Sequence, residues 1–162
     1  GERGPFMEPS ARAMFTGLEI GQGFTHLMRG VYEGLCFASR DCYAAMGDIP
    51  EEIRVTGGAA RSNALRLMLA STLNARVRSV SREEAGAAGA AMMAAVQQKL
   101  YPGMAACAAQ WVDPLLGDST APDAGLTAIY DKSFTLYKET REKMQPIWRA
   151  MMANRKEATH AL

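Results

Sequence analysis

The stretch Val55-Thr56-Gly57-Gly58-Ala59-Ala60-Arg61-Ser62-Asn63 constrains this chain more than any other. It joins a run, Ile53–Thr56, that reads as a strand to a segment where Leu65, Leu69 and Leu73 recur at helical spacing. A tight turn needs one glycine at most. A second glycine followed by two alanines leaves the backbone bare, so that a flat ring or a phosphate can lie against it. Ser62 or Asn63 then caps a helix, whose first turn offers unpaired N–H donors. In open α/β sheets, ligands bind beyond the carboxyl ends of the strands, which is where this turn falls. The spacing matches neither the Gly-x-Gly-x-x-Gly dinucleotide fingerprint nor a P-loop. Taken alone, a plain structural turn and a ligand turn stand equal.

The rest of the chain supplies context. Residues 1–23 are rich in glycine and proline and read as an irregular entry. Phe24, Leu27, Met28, Val31, Leu35, Ala38 and Cys42 fall on one face of a helix over 24–46, with Thr25 available as its cap and Gly47 as its stop. A second helix covers 63–74, and Val77–Val80 reads as a second strand. Ser81-Arg82-Glu83-Glu84 has the Ser-x-x-Glu form of a capping box and predicts a third helix over 82–99. The small residues of that helix, Ala85 to Ala91 with Gly86 and Gly89 among them, predict close packing against the glycine turn. Trp111–Gly125 reads as a loop. A final helix covers 126–154 with a bend near Pro146, and the tail after Arg155 reads as frayed. The order of elements is βαβ, an α/β arrangement with two parallel strands, and the outer edge of the first strand is expected to lie open.

Bulk properties exclude some classes. With 162 residues, 22% charged residues and a formal net charge of +1, the chain carries no basic excess for nucleic acid or a membrane surface. Its longest apolar stretch, Ala85–Val96, is too short to span a bilayer. Cys36, Cys42 and Cys107 lack metal-ligand spacing and read as reduced thiols, giving the expectation of a cytoplasmic protein. The opening Gly-Glu-Arg-Gly and the loop-like entry lead to the further expectation of a piece of a longer chain.

Four motifs in order carry a family resemblance. Gly1-Glu2-Arg3 with Pro9-Ser10-Ala11-Arg12-Ala13 comes first. Phe15-Thr16-Gly17-Leu18, then His26-Leu27 and Gly30-Val31-Tyr32-Glu33, resembles the carboxy-terminal signature of the FGGY carbohydrate kinases, departing from it at Gly30, where a small Ala or Ser is usual. Thr56–Ser62 resembles the adenosine-binding turn of that family, and Glu84–Ala95 resembles the helix that follows it. Residues beyond Tyr101 add little.

The resemblance implies a ribonuclease-H-like, actin-type ATPase fold, of which residues 1–162 would be the carboxy-terminal portion of the second domain. It implies ATP and Mg²⁺ as cofactors, a small sugar or polyol as the other partner, and Gly57, Gly58, Ala59 and Ser62 as adenosine contacts. It places the catalytic aspartate and the phosphate turns upstream, so neither a catalytic residue nor a metal ligand is expected here. Within the family, Gly-Glu-Arg-Gly-Pro-Phe, Arg40–Gly47 and Glu83–Gly89 resemble the erythritol-phosphorylating branch, with xylulose and L-xylulose as alternative substrates. A non-catalytic nucleotide-binding fragment is the competing class, and an open strand edge makes a homodimer a further expectation.

Other conspicuous residues have plainer readings. His26 reads as a first-turn residue, and Glu33 as a buried salt-bridge partner for Arg12 or Arg3. Asp41 and Asp48 read as solvated or capping residues, Cys36 as core, and the eleven methionines as core filler.

Overall fold

The computed structural model describes residues 1–160, with the side chains of Ala59 and residues 156–160 outside the description. Two compact units emerge, one formed by 1–49 with the chain from 124 onward, the other by 50–123.

In the first unit, α1 (Phe24–Met46) has the expected span and stops at Gly47, whose φ of 118° suits a residue without Cβ. Its start differs from expectation. Gly23, not Thr25, is the cap residue: its N–H donates to His26 Nδ1 at 3.2 Å, while the His26 N–H donates to the Gly23 carbonyl at 3.0 Å. The buried face differs as well. Cys36, Phe37 and Asp41 are buried, whereas Phe24, Val31 and Leu35 are exposed. What selects the face is the aromatic side of α5 (Ala124–His160): Phe37 meets Tyr130 edge-on at 5.7 Å between centroids, and Phe134 and Tyr137 complete the cluster. Pro146 lies inside α5 without ending it, and the helix runs on past Asn154 to His160 instead of fraying.

Charge reinforces this helix pair. Asp41, expected to be solvated, is buried and salt-bridged to Arg141, whose guanidinium also covers the Phe6 ring at 4.8 Å. Glu33 pairs with Arg29 at 2.8 Å and accepts the Tyr130 hydroxyl at 3.2 Å, not Arg12 or Arg3. Arg12 instead donates to the Pro9 and Ala11 carbonyls. Burial, and next the nearby Glu33 carboxylate, push the Tyr130 phenol up. The entry segment is tied down by buried Glu8, which accepts from Ser10 and, at 2.7 Å, from Arg149. The Ser10 hydroxyl, more than Arg149, holds the Glu8 carboxyl below its ordinary range against the opposing effect of burial. Cys36 is core as expected, but Met7, Met46 and Met93 are among several exposed methionines, so the side chain is not confined to core filling.

The second unit is a three-stranded sheet in the order β1 (Glu52–Val55), β2 (Arg76–Val80), β3 (Leu116–Thr120). β1 and β2 run parallel, with Ile53 opposite Val77, both buried, and α2 (Asn63–Leu73) is the crossover. α2 ends at Asn74 in the left-handed region, and its buried side carries Met68, Ala70, Ser71, Thr72 and Leu73. The third strand lies where a loop was expected. Leu116-Gly117-Asp118-Ser119-Thr120 has poor strand propensity, and pairing with β2 overrides it: the two are antiparallel, with a register shift between Arg78 and Val80. Gly117 fits this irregular spot because a Cβ there would lie 2.6 Å from Ser79 Oγ.

The third helix also departs from expectation. α3 spans Ala85–Gln97, not 82–99, and the Ser81–Glu84 capping box does not form. The Ser81 N–H is committed to the Leu115 carbonyl, which extends the β2 edge and delays the helix. The close packing expected of its glycines is absent too, since a Cβ on Gly86 or Gly89 would meet nothing within 4 Å. α4 (Met104–Trp111), for which the sequence pattern names no element, buries Cys107. No helix among the described residues is long and apolar enough to cross a membrane.

The Asp41–Arg141 pair gives a stability test. Removing one partner of a buried pair strands the other charge, so Asp41→Ala should lower unfolding free energy by about 3–5 kcal/mol, measured by urea denaturation. A loss within the range of exposed pairs, below about 1 kcal/mol, would show the pair to be solvated.

Candidate nucleotide-binding site

The parallel pairing of β1 and β2 sets their carboxyl ends side by side, and the glycine turn leaves from the first of them. Gly57 takes φ = +82°, a conformation that L side chains rarely adopt, and so redirects the chain at the end of β1. Gly58–Arg61 then forms one 3₁₀ turn, closed by the Ala60 N–H on the Gly57 carbonyl at 3.2 Å. Ser62 is the cap of α2, its Oγ accepting the Leu65 N–H at 3.2 Å. That bond uses a lone pair, and the hydroxyl proton stays available to donate. Gly57, Gly58, Ala59 and Ser62 therefore share one short loop, with Ala59 described in its backbone only.

The two glycines differ in physical reason. Gly57 is required by its backbone angle. A Cβ on Gly58 would meet no protein atom within 4 Å, so nothing in the fold demands a glycine there. The bare backbone at 58 faces open space. Beside the turn, Val55, Thr56, Val80, Arg82, Ala88 and Met92 are among the residues lining an open groove of about 260 Å³ between the sheet and α3.

Several polar residues hold this loop; the sequence reading named Thr56 within the turn and Asn63 as an alternative cap, and assigned Arg66, Arg82 and Thr120 no role. Arg66, one turn into α2, donates through Nη1 to the Ala60 carbonyl at 2.5 Å and through Nη2 to Asn63 Oδ1 at 2.6 Å. Its Nε lies 3.4 Å from Thr120 Oγ1 at the end of β3. Thr56 Oγ1 donates to the Arg82 carbonyl at 2.5 Å, and Arg82 Nη2 donates to the Trp111 carbonyl at 2.5 Å. Helical i, i+3 spacing between Asn63 and Arg66 is the one signal in the sequence that could have exposed part of this network. Among the described residues, no group of three or more His, Cys, Asp or Glu side chains could hold a metal ion.

Residues 1–98 match the model of the FGGY family of carbohydrate kinases, C-terminal domain. The chain belongs to this family. An erythritol kinase of Brucella abortus (strain 2308) is 57% identical over 148 residues, covering 91% of this chain and 28% of that protein. A glycerol kinase of Allorhizobium ampelinum is 37% identical over 113 residues, covering 66% of this chain and 23% of that protein. Among solved structures, ligand-bound xylulose kinase from Lactobacillus acidophilus superposes with a TM-score of 0.77 at 26% identity, over 89% of this chain and 29% of that one. The FGGY chain thus spans under a third of the length of each relative, and its fold is part of the actin-like ATPase fold.

The contrast between the glycines is testable without ligand. Gly57→Ala should cost about 1–2 kcal/mol of stability, because alanine pays for the left-handed backbone. Gly58→Ala should change stability by less than about 0.5 kcal/mol. Equal losses in thermal melts of the two variants would contradict the assignment of separate roles.

Proposed function

We propose that this chain is the adenosine-holding part of an ATP-dependent polyol kinase, the carboxy-terminal portion of its second domain, with erythritol as the acceptor. The observation that carries the reading is 57% identity with an erythritol kinase along 91% of the chain. The open backbone at Gly58 supports the nucleotide half of it. In this reading Gly57, Gly58 and Ala59 contact the adenine or ribose, and Ser62 donates its remaining hydroxyl proton to the nucleoside. Phosphoryl transfer relies on positioning and on neutralising charge at the transferred group, for which ATP is bound with Mg²⁺. We assign the base for the polyol hydroxyl and the phosphate contacts to the remainder of a longer protein, as the family resemblance implies. The isolated 162 residues then bind ATP weakly and phosphorylate nothing.

The test is a coupled ADP-release assay on the isolated chain and on the longer protein, with erythritol, glycerol, xylulose and L-xylulose as acceptors. Turnover is expected from the longer protein with erythritol preferred. Preference for xylulose or glycerol would retain the kinase and defeat the erythritol reading, and turnover by the isolated chain would defeat the division of labour. In the longer protein, Gly58→Val should weaken ATP binding, because a branched side chain fills the space meant for the ring. Unchanged affinity in a folded variant would remove the turn from the nucleotide site.

Among the described residues β1 pairs on one side only, with β2. Its outer edge is a template for a further strand, so the isolated chain is expected to form dimers through it. Sedimentation of the isolated chain as a monomer at high concentration would exclude that association.

A further inference from the structure

The segment beyond residue 98 lies outside the match to the family model, yet it touches the elements on either side of the loop. Trp111 supplies the carbonyl that receives Arg82, and Asp113 pairs with Arg54 at 3.0 Å. The Asp123 N–H donates to Ser71 Oγ on α2 at 3.0 Å, and Thr120 stands beside Arg66. Of these links, the one through Arg66 ends on the glycine loop itself.

We propose that Arg66 is a positioning residue for the nucleotide, clamping the Gly57–Ser62 loop to α2 and, through Thr120, to β3. The inference rests on the reading of this loop as the adenosine site. A guanidinium presents its donors in a rigid planar fork. Two prongs of that fork meet the Ala60 carbonyl and the Asn63 amide oxygen, at 2.5 and 2.6 Å, on either side of Ser62. Both acceptors follow directly on the Gly57–Ala59 backbone proposed to carry the ring, so the fork fixes where that segment ends and α2 begins. The entry to the 3₁₀ turn is closed by the backbone bond from the Ala60 N–H to the Gly57 carbonyl. Such a turn is poorly braced alone, because 3₁₀ hydrogen bonds have weaker geometry than α-helical ones. Arg66 is half-buried, and its bonds to Ala60 and Thr120 are partly sheltered from competing water, while that to Asn63 is exposed. Its Thr120 contact, at 3.4 Å, is the weakest of the three and orients the side chain more than it holds it.

The experiment uses the longer kinase with Arg66→Met, Arg66→Lys, Thr120→Val and Gly58→Val. ATP dissociation constants come from calorimetry, and amide exchange of residues 57–63 is followed in the absence of nucleotide. Arg66→Met should raise the ATP dissociation constant on the order of tenfold and speed exchange across the loop, leaving the KM for the polyol unchanged. Arg66→Lys should fall between, since an ammonium reaches one acceptor but cannot reproduce the fork. Thr120→Val should loosen the loop in the same direction by less, and it decides the matter if Arg66→Met does not fold. Wild-type exchange and ATP affinity in the Arg66 variants would overturn the proposal, as would parallel losses of polyol and ATP affinity with a lowered melting temperature. If Gly58→Val leaves ATP affinity intact, the adenosine reading itself fails, while exchange of the loop still tells whether Arg66 clamps it.

Discussion

The parallel pairing of β1 with β2 is the constraint on which the candidate site depends. Two parallel neighbours cannot be joined by a hairpin, so the chain must leave the end of β1, cross over a helix and return. The crossover here is α2, and the turn that starts it falls at the carboxyl end of the strand, beside the carboxyl end of β2. Ile53 and Val77, opposite one another and buried, hold this register. A slip of one residue in either strand would turn its buried residue outward and move the glycine loop relative to Arg82.

What was legible in the sequence follows from how local each signal is. The spans of α1 and α2, the parallel pair and the glycine loop were readable, because each rests on periodicity or on residues with special backbone freedom. β3 was not. Gly117, Asp118 and Ser119 disfavour a strand, and only the free edge of β2 makes one of them. The start of α3 failed for a related reason: Ser81 has the chemistry of a cap, but its N–H is taken by Leu115 in the sheet. On α1 the apolar stripe was real but did not choose the buried face. Phe37 and Asp41 won because α5 offers aromatic rings and Arg141 at their positions, a fact about residues a hundred places away.

The candidate site was legible as a loop and not as a network. Gly57, Gly58, Ala59 and Ser62 announce themselves through small size and capping chemistry. Arg66 and Arg82 do not, since arginine on a helix or before one is ordinary on any surface. Their importance appears only when their acceptors are known to be main-chain carbonyls of the loop and its neighbours. Backbone acceptors leave no trace in sequence, because every residue has one.

Small residues serve three separate purposes in this second unit, and composition alone cannot tell them apart. Gly117 is small because Ser79 is in the way, and Gly57 because its backbone angle excludes a side chain. Gly58 and Gly89 have no protein atoms near a would-be Cβ, and both border open space, at the turn and in the groove along α3. In a protein interior, unfilled space forfeits dispersion contacts and costs stability. A Cβ at Gly89 would meet no atom within 4 Å and would border apolar neighbours such as Met92 and Val80 in the groove. Packing within the described chain therefore gives no reason for the smallness of Gly58 and Gly89, a situation they share with Gly86 on α3.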